Sequence, residues 1–343
     1  MKKDSGNFQV GEITFSAKLQ QPRHQFFGSP HFRSARIRLS LINSNMIMTK
    51  LQPSDTSRNA LIGLEGKRAV ITGGAGILGQ AICRALAESG IQTAILDLNQ
   101  EAATQLACQL QTQTGTRCIA ANADVLCQES LEQARQIIED ELGPTDFLIN
   151  AAGGNSPRAT TGKEEITAEN GGPTIADSFK ETFFDLDQHG FQSVFDLNFL
   201  GTLLPSQVFG RGMVQRKAGV ILNISSMNSF RPLTKIPAYS AAKASINNFT
   251  QWLAVHLAKT GVRVNAIAPG FFLTDQNRFL LTDRQTGEPT PRGLKIIANT
   301  PMGRYGHPDD LKGAVLFLLS DASAFITGVI MPIDGGYSAF GGV

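Results

Sequence analysis

With 343 residues and 42% hydrophobic content, the chain can bury one large core, while a formal charge of only +2 excludes the strongly basic surface that a nucleic-acid groove needs. The charge is uneven: residues 1–47 carry Lys2, Lys3, Lys18, Arg23, Arg33, Arg36 and Arg38 against Asp4 and Glu12, a balance of +5 that leaves the remainder at −3. No apolar run is long enough to span a bilayer, so no membrane partner is expected, and chemistry on a small molecule becomes the first expectation.

Residues 1–60 form a basic stretch without helical or strand periodicity, and it lacks the apolar segment of a signal peptide. It reads as a disordered leader, or as translation begun upstream of Met46 or Met48. Residues 61–343 read as one domain. Cys83, Cys108, Cys118 and Cys127 form no C-x-x-C pair and stand near no histidine cluster, so no metal site is expected. Their scattered positions fit buried small hydrophobes in a reducing, cytoplasmic compartment better than a disulfide framework.

From Arg68 onward, short aliphatic runs alternate with longer helical patterns. Strands are expected at Ala69–Thr72, Thr93–Leu96, Arg117–Ala120, Asp146–Ile149, Gly219–Asn223, Arg263–Ala266 and Val329–Pro332. Between the early ones, Leu78–Ser89, Gln100–Gln113 and Glu129–Leu142 place apolar residues at helical spacing. Right-handed crossovers then predict an α/β, doubly wound Rossmann fold: a parallel sheet of about seven strands with helices on both faces. Ligands of such a sheet bind at the carboxyl ends of its strands, so function is expected in the loops that follow them.

The first strand runs into Gly73, Gly74, Ala75, Gly76, Ile77, Leu78 and Gly79. Glycines there let a pyrophosphate approach the backbone N–H groups at the start of a helix. A lone G-x-G-x-x-G is a weak signal, but this one follows a strand, opens a helix and precedes Asp97 at the end of the second strand. A carboxylate at that point accepts hydrogen bonds from ribose hydroxyls and repels a 2′-phosphate. No Lys or Arg lies between Asp97 and Glu101, so NAD is expected rather than NADP.

Tyr239 and Lys243 are spaced to share one helix face, where an ammonium is expected to stabilise the phenolate and bring Tyr239 down toward a useful acid–base range. Ser226, after the apolar run Val220–Ile224, is expected at the same rim.

Taken with Asn150, Ala151, Ala152 and Gly153 after the fourth strand, Asn198, and Pro269 and Gly270 after the sixth, this order of residues resembles the short-chain dehydrogenase/reductase family from Leu64 to the C-terminus. The resemblance implies a catalytic tetrad of Asn198, Ser226, Tyr239 and Lys243, with Asn198 holding a water that links Lys243 to solvent. It implies a cofactor site made by Gly73, Gly76, Ile77, Leu78, Gly79, Asp97, Leu98, Asp124, Val125, Asn150, Ala151, Ala152, Gly153, Tyr239, Lys243, Pro269, Gly270 and Thr274. One departure is Ile77, which stands where the family's glycine pattern has its middle glycine; Gly76 is expected to compensate.

The segment between Asn150 and Asn198 is longer than the family norm, and an insertion at about 154–190 is expected to cover the substrate. Together with Phe183–Asp187, Ser226–Asn228, Pro232–Lys235 and Phe271–Arg278, it resembles the short-chain type of D-mannonate oxidoreductase, or fructuronate reductase. A sugar acid needs a cation for its carboxylate and polar groups for its hydroxyls, and Arg158, Asn228, Lys235 and Arg278 are the candidates. His189 and His256 are expected to be surface or packing residues. The family also implies a homodimer or homotetramer. Alternatives at this stage are a reductase of another polyol or ketoacid, of the gluconate or 3-oxoacyl type, and a dinucleotide-binding sensor without catalysis.

Overall fold

Runs of Val, Ile, Leu and Ala such as those at 69–71 and 220–222 offer no polar face to water, so each is stable only as a strand covered on both sides. A computed structural model, describing residues 63–166, 179–273, 278–283 and 285–342, shows this arrangement within the unit Asp55–Val343. The leader and Thr274 lie outside the described residues. Seven strands are present: β1 (Arg68–Thr72), β2 (Gln92–Asp97), β3 (Cys118–Asn122), β4 (Phe147–Asn150), β5 (Gly219–Ile224), β6 (Val262–Pro269) and β7 (Ile330–Ile333). All seven expected strands occur, with ends displaced by at most three residues.

Every pairing is parallel, in the order β3-β2-β1-β4-β5-β6-β7. The chain winds outward from β1 to β3, returns to β4 on the other side of β1, and then winds outward again. That reversal between β1 and β4 opens a crevice at their carboxyl ends, because the loops leaving the two strands diverge in opposite directions.

Eight helices are described: α1 (Ile77–Glu88), α2 (Gln100–Thr114), α3 (Gln128–Leu142), α4 (Gln188–Arg216), α5 (Pro237–Leu257), α6 (Arg278–Leu281), α7 (Pro291–Ala298) and α8 (Lys312–Leu319). Alternation along the strands feeds two cores. Ala69 and Ile71 face α1, α2 and α8, whereas Val70 faces α3, α4 and α5 with Phe209 and Met213. Truncating Phe209, which is 2% exposed, to Ala would cost about 3–5 kcal/mol.

The caps show why the helices begin where they do. Asn99 accepts from Ala102 N at 3.0 Å to start α2, and Asp187 accepts from His189 N and Gly190 N at 3.2 and 3.0 Å to start α4. Of the four cysteines, Cys83 and Cys118 are buried as expected, but Cys108 is exposed and Cys127 half-buried. Burial pushes the Cys83 thiol up and Cys118 to about 11, so neither is a thiolate at neutral pH.

Candidate active site

At the end of β1 the chain must turn sharply. Gly73 does so with φ 62°, and a Cβ there would stand 2.7 Å from Ala152 Cα. Gly79 packs so closely that a Cβ would meet Gly73 O at 2.3 Å. Gly76 is the N-cap of α1, with φ −71° and ψ 164°, and among the described residues no side chain bonds the first N–H groups of that helix. Ile77 is simply the first helical residue, which explains how the chain departs from the family's glycine pattern without losing the turn. The uncapped donors, the close-packed glycines and the strand-end carboxylate of Asp97 together fit a dinucleotide pyrophosphate and ribose.

Asp97 has two intramolecular partners: Ala75 N donates to Oδ2 at 3.1 Å and Asn99 N to Oδ1 at 3.0 Å. The carboxylate therefore clamps the glycine loop and retains lone pairs for ribose hydroxyls. Beyond β3, Asp124 is partly buried and accepts from Leu126 N at 2.9 Å, while Leu98 is exposed and Val125 buried.

After β4, Ala151 N and Ala152 N both donate to the Thr72 hydroxyl, at 3.1 and 3.2 Å, joining the two strand ends that frame the crevice. Beneath them lies a buried polar chain that the sequence reading missed. Asn150 Nδ2 donates to Ser206 Oγ and Asn223 Oδ1, each at 2.9 Å, and Asn223 Nδ2 donates to Thr250 Oγ1 at 2.9 Å. A visible signal was available, since Asn198, Thr202 and Ser206 recur every four residues along the buried face of α4.

The tetrad residues meet here. The Ser226 hydroxyl stands near enough to Tyr239 to lower its phenol slightly, and Ser226 accepts from Asn228 N at 3.2 Å. Lys243 Nζ donates to Ile224 O at 2.8 Å and lies 5.6 Å from the centre of the Tyr239 ring. Asn198 Nδ2 donates to Gly154 O and Val194 O, both at 2.7 Å, and a Cβ on Gly153 would touch Asn198 Oδ1 and Lys243 Nζ. One expectation is corrected. Burial pushes the Tyr239 hydroxyl up and pulls the Lys243 amine down to about 7, so desolvation outweighs the lowering expected from the lysine.

The segment after β4 walls this site. Ala159 packs with Val194 and Ala238 beside Phe191 and Tyr239, and Thr161 N donates to Lys235 O at 2.9 Å. Lys235 adopts φ 76°, a costly conformation for a side chain with a Cβ. Glu164 pairs with Arg292 at 2.7 Å and with Lys295 at 3.6 Å, joining the insertion to α7.

Among the expected substrate residues, Asn228 is buried next to Ser226, and Lys235 precedes α5. Arg158 pairs with Asp187 at 2.5 Å, so it braces the α4 cap. Arg278 is exposed at the start of α6. His189 and His256 are both exposed, and His256 stacks on Trp252 at 4.8 Å. Pro269 ends β6; Gly270 packs so tightly that a Cβ would stand 2.6 Å from Asp334 Cα, beside a cavity of about 240 Å³ lined partly by Phe271 and Thr300. A larger hollow of about 360 Å³ lies between α3 and α4 and holds none of the tetrad.

Comparison with known proteins agrees with this geometry. A family model described as enoyl-(acyl carrier protein) reductase matches residues 73–338. An uncharacterized oxidoreductase of Haemophilus influenzae is 50% identical over 281 residues, which cover 82% of this chain and 96% of that protein. The 5-keto-D-gluconate 5-reductase of Escherichia coli is 32% identical, covering 81% and 98%. Among solved structures, a candidate D-mannonate oxidoreductase from Haemophilus influenzae with bound NAD superposes with a TM-score of 0.76 at 49% identity, covering 83% of this chain and 99% of that one. With the glycine turn after β1 and the tetrad residues gathered beside it, the chain belongs to the short-chain dehydrogenase/reductase family, oxidoreductases that act on CH–OH groups.

Proposed function

We propose that this enzyme interconverts D-mannonate and D-fructuronate using NAD. The observation that carries the reading is the gathering of Ser226, Tyr239 and buried Lys243 at the carboxyl edge of the sheet, walled by the segment around Ala159. The 49% identity to a candidate D-mannonate oxidoreductase with bound NAD supports the substrate and the cofactor. The strand-end carboxylate of Asp97 supports NAD over NADP.

When bound, the nicotinamide gives or accepts the hydride. Ser226 holds the substrate oxygen with its hydroxyl. Tyr239 gives its proton to that oxygen during reduction and takes it back during oxidation; burial keeps the phenol protonated at neutral pH, ready to act as the acid. Lys243, held by Ile224 O, supplies a second proton-bearing group beneath the phenol. Asn198 fixes the Gly154 backbone above Lys243, which sets the floor of the site. In the assembled enzyme, subunits pair as a homodimer or homotetramer through α4 and α5. The exposed Trp252 and Val255, 57% and 79% accessible, support α5 as part of that face.

NADH consumption with D-fructuronate, beside 5-keto-D-gluconate, other ketoses and a 3-oxoacyl thioester, tests the reading. D-fructuronate should give the highest kcat/KM. A higher value for 5-keto-D-gluconate, the substrate in the name of the Escherichia coli relative, would replace the substrate assignment. No turnover of any sugar acid would end it.

A further inference from the structure

A sugar acid carries its carboxylate at the far end of the carbon chain from the carbon that reacts, so the group that reads the charge must stand away from Tyr239 along the same crevice. Most cations near the crevice are engaged: Arg158 with Asp187, and Arg292 and Lys295 with Glu164. Lys235 and Arg278 carry charge, but no side-chain contact among the described residues orients either one.

Arg231 differs. It leaves the turn that begins at Ser226: Ser229 N donates to Ser226 O at 3.0 Å and Arg231 N to Met227 O at 3.1 Å. Its Nη1 donates to Phe340 O at 3.0 Å, the one side-chain hydrogen bond it makes among the described residues. That anchor holds one nitrogen of the guanidinium and leaves the edge formed by Nε and Nη2 available to a carboxylate with two parallel donors.

Tyr337 belongs to the same C-terminal turn as Phe340, whose N donates to Tyr337 O at 3.4 Å. Its ring meets Phe271, the residue after Gly270, edge-on at 5.1 Å, and its turn is held by Asp334, which accepts from Gly336 N at 3.0 Å and Ser338 N at 2.8 Å. The phenol makes no hydrogen bond among the described residues and lies within electrostatic reach of Arg292 and Arg231. Burial nonetheless pushes it up, so it is a donor at neutral pH.

We propose that Arg231 and Tyr337 together recognise the substrate carboxylate, with Arg231 as the bidentate anchor and Tyr337 donating to one carboxylate oxygen. This rests on the sugar-acid reading above but not on which sugar acid is used. In D-mannonate and in 5-keto-D-gluconate alike, the carboxylate is distant from the reacting carbon.

The test compares wild type with Arg231→Gln, Arg231→Lys and Tyr337→Phe in the full chain, measuring kcat, KM for D-mannonate and KM for NAD. Arg231→Gln should raise KM for D-mannonate about 10- to 100-fold, the effect of losing a charge-assisted pair. Tyr337→Phe should raise it about 3- to 10-fold, Arg231→Lys should fall between wild type and Gln, and KM for NAD should stay within about twofold in all three. A D-mannonate KM unmoved in Arg231→Gln, or a parallel rise in KM for NAD, overturns the assignment. If wild type turns over no sugar acid, the proposed function has failed. Binding of D-mannonate and D-gluconate to the NADH complex, followed by nicotinamide fluorescence, then decides the site alone: binding lost in Arg231→Gln sustains it, and equal binding or none ends it.

Discussion

Lys243 Nζ lies 5.6 Å from the centre of the Tyr239 ring and donates to Ile224 O at 2.8 Å, so one turn of α5 sets the buried amine beside the half-buried phenol at the end of β5. That placement is a consequence of four-residue spacing on a helix whose inner face is covered by the sheet.

Replacing Tyr239 by Phe removes the proton donor and keeps the ring that packs with Ala159 and Val194. Turnover should fall about 10²- to 10⁴-fold. NADH fluorescence on binding should persist; retained turnover would contradict the role given to the phenol.

Lys243 also gives the fold a pH dependence. Its folded value, about 7, lies below the unfolded value of a lysine, so between those values the unfolded chain binds the extra proton. The penalty for burying the charge is complete below about pH 7 and is relieved as pH rises toward the unfolded value. Stability of wild type relative to Lys243→Met should therefore rise by roughly 1 kcal/mol per pH unit between about pH 7 and 9. Urea denaturation of both proteins across that range reads the difference, and a flat difference would rule out a neutral buried amine.

Asp97→Asn keeps the shape of the strand end but removes the charge that favours ribose hydroxyls and repels a 2′-phosphate. The kcat/KM with NAD should drop about 10- to 100-fold, and the ratio of NADP to NAD activity should rise. Because Ala75 N donates to the same carboxylate, a modest loss of thermal stability should accompany the change. An unchanged cofactor ratio would mean that Asp97 serves the loop alone.

Gly79→Ala puts a Cβ 2.3 Å from Gly73 O, where backbone must move. About 1–3 kcal/mol of stability should be lost, and affinity for NADH should fall with it, since the displaced turn is the one proposed to admit the pyrophosphate. Calorimetric melting and NADH titration check both effects. Gly115→Ala is the contrast: nothing lies within 4 Å of a Cβ there, so with φ 72° it should cost stability through backbone strain and leave NADH affinity unchanged.

Local sequence was enough for the seven strands, the glycine turn and the spacing of Tyr239 and Lys243, because each depends on neighbours within a few residues: alternation on a strand, a turn only glycine adopts, one helix face. Ser226 and Asn198 were legible through family resemblance. The Gly154 carbonyl to which Asn198 donates was not, since 44 residues separate the two. The pairing of Arg158 was hidden for the same reason: nothing in its neighbourhood shows that Asp187 at the α4 cap will pair with it.

What the sequence determined by itself was the winding order of the sheet and the chemistry available at its carboxyl edge, because periodicity and chirality are local rules that accumulate along the chain. Only the tertiary structure decided how that chemistry is tuned and which cations are engaged. Burial drove Tyr239 up and Lys243 down, the reverse of the expected balance for the phenol, and Arg231 came to donate to Phe340 O although 109 residues separate them. Desolvation and long-range charge depend on what packs around a group in three dimensions, and no pattern of neighbours in one dimension encodes them.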